Sequence, residues 1–529
     1  MPRLTIDNRI VEVKSGATIL DAAEKLGIEI PTMCFLKDWK PSTSCMVCVV
    51  KVEGKANFVP ACGTLAENNM VVQTTSEEII KARKAALELL LSDHLGDCMG
   101  PCQTACPAHM NIPLMIRQIK SKKFHDAIAT VKKDIALPAV LGRICPKPCE
   151  KACRRYGYDG GVSICLLKRY VADVDLQSDK PYMPSCKPEK HKRVAIIGAG
   201  PAGLAAAYYL AQDGFGCTIF DDHEKPGGML QYAVPENELP RDILDSEIAL
   251  IEKLGVKFKL QTRIGDSLKL EDLRKDFDTV FIAIGKLKDS KDLMGLTTKA
   301  DAIVIEGQTY QTNLPGVFAG GDAVRQRKLT VRAVADGKEA SIAIAQYLSG
   351  EKVTGVTREF NTRIGKLKEE EIKKFITGDN DFPGIHPSGE NQGFTEEQAV
   401  KEAARCLHCD CRKPASCKLR KYSYEYAAKA GQYKGQNRSF VQLSEHPEII
   451  FEPGKCIDCG LCIQIAAKAG EELGLAFTGR GFSVRLAVPF GRSIVEAVKD
   501  AETARKYVNS CPTGALSFKI SESDKKNTL

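Results

Sequence analysis

Cysteine dominates the chemistry this chain could do. It has 529 residues and 21 cysteines, most of them in tight runs. Cys34, Cys45, Cys48 and Cys62 follow the spacing C-x10-C-x2-C-x13-C. Cys98, Cys102 and Cys106 form one triplet, Cys145, Cys149 and Cys153 another, and Cys165 follows in "VSICLLKRY". Cys406, Cys409, Cys411 and Cys417 lie in "RCLHCDCRKPASC". Cys456, Cys459 and Cys462 lie in "CIDCGLC", with Cys511 further on in "NSCPTG". In a secreted chain such cysteines would pair as disulfides. In a cytosolic chain these spacings mean metal held by thiolates.

The setting expected is cytoplasmic. The start "MPRLTIDNRIVEV" lacks an apolar signal core and reads directly as a strand. No run of 18 apolar residues occurs, so no membrane span is expected. The hydrophobic fraction, 43%, is ordinary for a globular chain, and the length suits three or four domains. The formal charge of +8 is spread along the chain and bound clusters offset it, so nucleic acid is not an expected partner.

Each run needs a scaffold. Residues 4–13 alternate in "LTIDNRIVEV", two strands with Asp7-Asn8 as their turn. "GATILDAAEKLG" follows as an amphipathic helix ending at Gly27, and "VVKVEG" alternates again. Strand pair, helix and cysteine loop read as a β-grasp ferredoxin domain over 1–78, holding one [2Fe–2S] cluster on Cys34, Cys45, Cys48 and Cys62. The spacing is not the plant-type C-x4-C-x2-C. It resembles the N-terminal domain of the large iron–sulfur subunit of respiratory NADH dehydrogenases and of multi-subunit [FeFe] hydrogenases.

Residues 79–180 read as a helical domain with two [4Fe–4S] clusters, its two triplets joined by the predicted helical pair "LMIRQIKSKKFHDAIATVKKDI". This stretch resembles the N-terminal domain of the glutamate synthase small subunit and of dihydropyrimidine dehydrogenase. The resemblance implies that Cys98, Cys102 and Cys153 hold one cluster, and that Cys106, Cys145, Cys149 and Cys165 hold the other. The first set is one ligand short. His94 lies four residues before Cys98, and imidazole can replace thiolate on iron, raising the potential. The alternative is that His94 merely ends the helix "ALELLLSDH".

"RVAIIGAGPAGLAAAYYLAQDGFGCTIFDD" is strand, G-x-G-x-x-G turn, helix and strand. Gly198 permits the tight turn, Gly200 the approach of a pyrophosphate, and Gly203 close packing of helix on strand. Asp221, 23 residues after Gly198, is placed for a ribose hydroxyl. Gly227 and Gly228 follow in "KPGGML". "GVFAGGDAV", with Gly321 and Asp322, resembles the second FAD motif of the glutathione-reductase-like superfamily, whose aspartate binds the ribityl chain. Residues 191–350 resemble the FAD domain of the glutamate synthase small subunit, with one departure. That family inserts an NADPH-binding Rossmann domain between "FIAIG" and "GVFAGGD". Here only 30 residues separate Gly285 from Gly316, and no second G-x-G-x-x-G occurs.

Residues 351–400, polar and charged, read as a connector over the surface, and 401–529 as a C-terminal domain with two four-cysteine sites. Cys406, Cys409, Cys411 and Cys417 suit a [4Fe–4S] cluster, with tetrahedral zinc the rival. In two-cluster ferredoxins the fourth cysteine of each run ligates the other cluster. Position 466 is alanine, so the second cluster has lost that ligand. Its other three cysteines are also missing, while Cys456, Cys459, Cys462 and Cys511 remain as a complete site. Cys186 and Cys217 are left as plain thiols.

The expectation is a multidomain α/β and α+β chain: β-grasp ferredoxin, helical iron–sulfur domain, Rossmann-like FAD domain and bacterial-ferredoxin-like domain. It would carry FAD, one [2Fe–2S] and four [4Fe–4S] clusters. Its role would be electron-transfer subunit of an oxidoreductase of the hydrogenase, formate dehydrogenase or transhydrogenase kind. Expected partners are an NAD(P)H-oxidising flavoprotein and a ferredoxin or catalytic subunit. No residue of its own is assigned a catalytic role. The competing readings are a self-sufficient NAD(P)H-dependent reductase, which the missing domain argues against, and a redox sensor or scaffold.

Overall fold

The computed structural model describes residues 1–265, 268–287, 295–376, 380–387, 389, 392–433, 440–471, 474–498 and 500–519. The chain forms two compact units: one of residues 1–99, 359–377 and 409–529, the other of 100–358 and 378–408.

The first unit opens on a five-stranded mixed sheet. Strand Arg3–Ile6 pairs antiparallel with Arg9–Glu12 and parallel with Val71–Gln73. Asp7 and Asn8 take positive φ at the turn, as a tight hairpin of right-handed strands requires. Helix Ile19–Lys25 starts in a Thr18/Asp21 capping box and buries Ile19, Ala22 and Ala23 against Leu4, Ile6, Val50 and Val72. Helix Glu77–Ser92 then leaves the sheet. The buried Arg83 on it donates twice to the Val49 carbonyl, at 3.1 and 2.9 Å, and ties the helix to the cysteine-bearing domain.

The C-terminal part of this unit has two short antiparallel pairs, Ile449–Phe451 with Leu516–Phe518 and Ala476–Thr478 with Arg485–Ala487. Helices Leu461–Ala469 and Ala501–Ser510 pack together beside them. A further apolar core joins Met33, Val47, Leu87, Leu91, Leu419, Tyr422 and Leu461.

The second unit combines helices and a parallel sheet. Helices Ile112–Lys120, Phe124–Lys132, Pro138–Ile144 and Ile164–Leu176 pack on one another. The sheet runs Val317–Ala319, Thr279–Ile282, Arg193–Ile197, Gly216–Phe220, Lys257–Lys259, every pair parallel. The buried Glu247 links the two parts: its carboxylate accepts from the amides of Ala139 and Val140, both at 2.9 Å, at the start of helix Pro138–Ile144. Where the expected dinucleotide domain is missing, the described residues form a small hairpin, Thr298–Lys299 with Ala302–Ile303.

The connector is more than a surface strap. Thr362, Leu367 and Phe375 are buried in the first unit. Helix Glu396–Ala404 packs on Ile112–Lys120 and Ile164–Leu176 in the second. Its Glu402 is fully buried, accepting from the amides of Ser163 and Ile385 and from Arg405. The connector's polarity reflects buried hydrogen bonding as well as solvent. Residues 401–408 accordingly belong with the second unit.

Candidate redox sites

The four N-terminal cysteines are buried and paired. Cys34 Sγ lies 3.3 Å from Cys45 Sγ, and Cys48 Sγ 3.4 Å from Cys62 Sγ. Two close sulfur pairs suit two metal atoms, each taking two thiolates. Hydrogen bonds from the Cys45 and Cys62 sulfurs hold the Cys34 thiol down at about 2, and one from Cys62 lowers Cys48 to about 7.

In the second unit Cys106, Cys145, Cys149 and Cys165 are all buried. Lys168, on the same helix as Cys165 and 3% exposed, points its ammonium toward them, 4.0 Å from the Cys165 sulfur. Burial alone would lower the Lys168 pKa. The charges of Cys165, Cys145, Cys149 and Cys106 outweigh it, and the pKa is raised. A buried lysine facing four sulfurs is charge compensation for an anionic centre. Nothing in the sequence flagged it, because a lysine on a helix is normally solvent-exposed.

Cys102, Cys153 and Cys406 are half-buried at the edge of this unit's core. The fully buried Arg155 donates to the Arg405 carbonyl at 2.8 Å, bringing Cys406 to the neighbourhood of Cys153. The division between units passes between Cys406 and Cys409, and again between Cys98 and Cys102. In the first unit burial raises the thiols of Cys411 and Cys417, with Cys98 as a smaller charge contribution to both.

Cys456, Cys459, Cys462 and Cys511 line one small pocket with Phe477, Leu486 and Tyr507. Ala466, Leu475, Val498, Ala504 and the fully buried Tyr507 form one apolar core with Cys462, and Cys456 and Cys511 pack against it. Cys511→Ala should therefore remove one [4Fe–4S] signal, whereas Ala466→Cys should add none. Paramagnetic resonance of both reduced variants checks this. An unchanged cluster content in Cys511→Ala would refute the shared pocket as a ligand set.

Cys186 is exposed. Cys217 sits in the parallel sheet, and burial pushes its thiol up to about 12. Neither joins a cluster of sulfurs.

The glycine turn stands at the point where the parallel sheet changes direction of winding, the crevice in which such sheets bind ligands. Gly198 has φ +106, and a Cβ there would lie 2.5 Å from the Ala283 carbonyl oxygen. At Gly203 a Cβ would lie 2.0 Å from the Gly198 oxygen. Gly200 begins helix Pro201–Gln212, with Gly228 laid against it and the Gly227 amide bonded to the Ala199 carbonyl at 2.9 Å. Asp221 is 8% exposed, and one of its oxygens accepts from Ala199 N at 2.6 Å. It braces the turn as well as standing beside it. Gly321 meets Ala202 in that helix, and Asp322 follows, accepting from Arg327 N at 3.3 Å. The open amides at Gly200 and the carboxylates of Asp221 and Asp322 fit a dinucleotide carrying a pyrophosphate and hydroxyls.

Comparison with known proteins gives four domain matches. Residues 2–77 match the 2Fe-2S iron-sulfur cluster binding domain. Residues 75–180 match dihydropyrimidine dehydrogenase domain II, 4Fe-4S cluster. Residues 196–249 match an NAD(P)-binding Rossmann-like domain and 232–337 the pyridine nucleotide-disulphide oxidoreductase domain. The NADPH-Fe(3+) oxidoreductase subunit beta of Geobacter sulfurreducens is 43% identical over 188 residues, 35% of this chain and 28% of that one. The NADP(+)-dependent formate dehydrogenase subunit beta of Moorella thermoacetica is 39% identical over 239 residues, 41% of this chain and 32% of that one. The NAD-dependent dihydropyrimidine dehydrogenase subunit PreT of Escherichia coli is 40% identical over 189 residues, 35% and 45% respectively. The chain thus spans less than half the length of these relatives. No described helix is long and apolar enough to cross a membrane. Stretches of the chain thus match [2Fe–2S], [4Fe–4S] and pyridine nucleotide-disulphide oxidoreductase domains.

Proposed function

We propose that this chain is the electron relay of a cytoplasmic multi-subunit oxidoreductase, passing electrons between a partner's redox site and its own FAD and iron–sulfur clusters. The observation that carries the reading is the apolar core that Cys34, Cys45, Cys417 and Cys459 share in the first unit. Three separate cysteine sets meet there, the arrangement an electron wire needs and isolated structural metals do not.

The domains are taken as 1–78, 79–180, 191–350 and 401–529, with 351–400 connecting the last two. FAD is assigned to Gly198, Gly200, Gly203, Asp221, Gly227, Gly228, Gly321 and Asp322. Bound FAD can exchange two electrons on one side for single electrons on the other. The chain's own part is to hold its pyrophosphate at the start of helix Pro201–Gln212, its ribose at Asp221 and its ribityl chain at Asp322. One [2Fe–2S] cluster is assigned to Cys34, Cys45, Cys48 and Cys62. [4Fe–4S] clusters are assigned to Cys106, Cys145, Cys149 and Cys165, and to Cys456, Cys459, Cys462 and Cys511. His94, Cys98, Cys102, Cys153, Cys406, Cys409, Cys411 and Cys417 supply two more.

Zinc is disfavoured at the remaining cysteines. Ligands about 2.3 Å from a tetrahedral ion lie roughly 4 Å apart. Among the described residues only Asp221, Asp222 and His223 bring three ligand atoms within 4.8 Å of one another. The partners proposed are an NAD(P)H-oxidising flavoprotein and a ferredoxin or catalytic subunit, in keeping with the subunit names of the relatives.

Anaerobic iron, sulfide and flavin analysis tests the assignment. It should give about 18 iron atoms and one FAD per chain. Iron near half that value, or stoichiometric zinc, would overturn it.

A further inference from the structure

We propose that His94, Cys98, Cys411 and Cys417 together hold one [4Fe–4S] cluster, a ligand set that no linear run in the sequence displays. The proposal rests on reading the chain as an iron–sulfur protein. Spacing groups Cys411 and Cys417 with Cys406, and family resemblance groups Cys98 with Cys102 and Cys153. The fold of the first unit regroups them.

Asp97 and Asp410 form a parallel β-bridge. The next residue on each side is Cys98 and Cys411. Paired residues lie about 5 Å apart, so the bridge brings the chain at Cys98 close to the chain at Cys411. Burial raises the thiols of Cys411 and Cys417, and Cys98 stands near enough to both to raise them further. Cys417 immediately precedes helix Lys418–Glu425 and is buried with Cys411.

His94 completes the set. Its Nδ1 is enclosed and makes no hydrogen bond. An enclosed, unpartnered imidazole nitrogen is costly unless something binds it. A Cβ on Gly96 would lie 3.1 Å from His94 Nε2 and 2.9 Å from Lys455 Cε. A Cβ on Gly514 would lie 2.4 Å from Cys411 Sγ and 3.8 Å from Lys455 Cδ. The imidazole and the Cys411 sulfur thus flank one lysine stem. Lys455 is 2% exposed, and its ammonium sits 2.5 Å from Glu452.

The connector holds the loop in place. The Cys98 amide donates to the Thr362 carbonyl at 3.4 Å, Thr362 Oγ1 donates to the Gly96 carbonyl at 2.7 Å, and Ile364 N donates to Asp97 at 2.8 Å. The four ligands are not drawn to a single point as one ion would require. A four-iron cluster instead takes one ligand at each iron. The regrouping leaves Cys102, Cys153 and Cys406 in the second unit. Because imidazole raises the potential of an iron–sulfur centre, this cluster is the higher-potential member of the core it shares with Cys34, Cys45 and Cys459.

The test compares iron content and paramagnetic signals of the full chain with those of Cys98→Ala, Cys411→Ala and the double variant. Each single variant should lose the same signal and about four iron atoms, and the double variant no more than either. A loss of about eight in the double variant would overturn the grouping. Should a variant shed all its iron, His94→Cys decides. It should keep the cluster count, shift one midpoint potential downward and abolish a nitrogen hyperfine coupling. Unchanged potentials, or no nitrogen coupling in the parent protein, would overturn it. A parent chain without iron would instead defeat the iron–sulfur reading itself.

Discussion

Purified without partners and kept anaerobic, the chain should hold a flavin that NADH and NADPH leave oxidised and dithionite bleaches. Hydride transfer needs the nicotinamide ring held against the flavin at about 3–3.5 Å. Holding it takes a second dinucleotide fold, built from βαβ units of about thirty residues each. Between Gly285 and Gly316 there is room for one such unit at most, and the described residues there form a two-stranded hairpin. Orientation contributes about 7–11 kcal/mol to such reactions, so the rate without it should fall by several orders of magnitude. Bleaching by NAD(P)H should return when a nicotinamide-binding partner subunit is added. Rapid bleaching of the isolated chain by either nucleotide would move the self-sufficient reductase to first place.

Gly337→Ala should unseat the flavin without touching it. Gly337 lies in helix Thr330–Leu348 where that helix crosses Pro201–Gln212. A Cβ there would lie 2.2 Å from the Ala202 carbonyl oxygen and 2.9 Å from Ala206 N, both backbone atoms that no rotamer change can move aside. Alanine gains about 1 kcal/mol of helix propensity over glycine. Overpacking against backbone costs about 1–3 kcal/mol or more, and here it wins. The helices must separate at the first turn after Gly200, which is where the pyrophosphate is assigned. The variant should melt several degrees lower and lose FAD on gel filtration. Parent-like melting with FAD retained would contradict the close crossing.

Much of the site was legible because its constraints are local. The Asp7-Asn8 turn, the Gly198–Gly203 turn and Asp221 at a strand end are each fixed by short-range sterics, and they occur where their patterns placed them. Cys511 could be joined to Cys456 because a two-cluster ferredoxin exchanges ligands by a known rule. The rest depended on partners far away in sequence. Thr362 and Glu402 read as surface residues, since the carbonyl and amides that satisfy them belong to Gly96, Ser163 and Ile385. Nor does the sequence mark Lys168 or Lys455 as buried, although one faces four sulfurs and the other is buried against Glu452. Local spacing also hid that Asp97 pairs with Asp410, because a β-bridge between residues so far apart leaves no periodic trace.

The central claim, a flavin wired to five clusters in one chain, is tested most directly by an anaerobic reductive titration of the full chain, followed by flavin absorbance and paramagnetic resonance. Two electrons for FAD and one for each cluster predict about seven reducing equivalents per chain, with one [2Fe–2S] and four [4Fe–4S] signals appearing as the flavin bleaches. Uptake of only about two equivalents, with no cluster signals, would contradict the account.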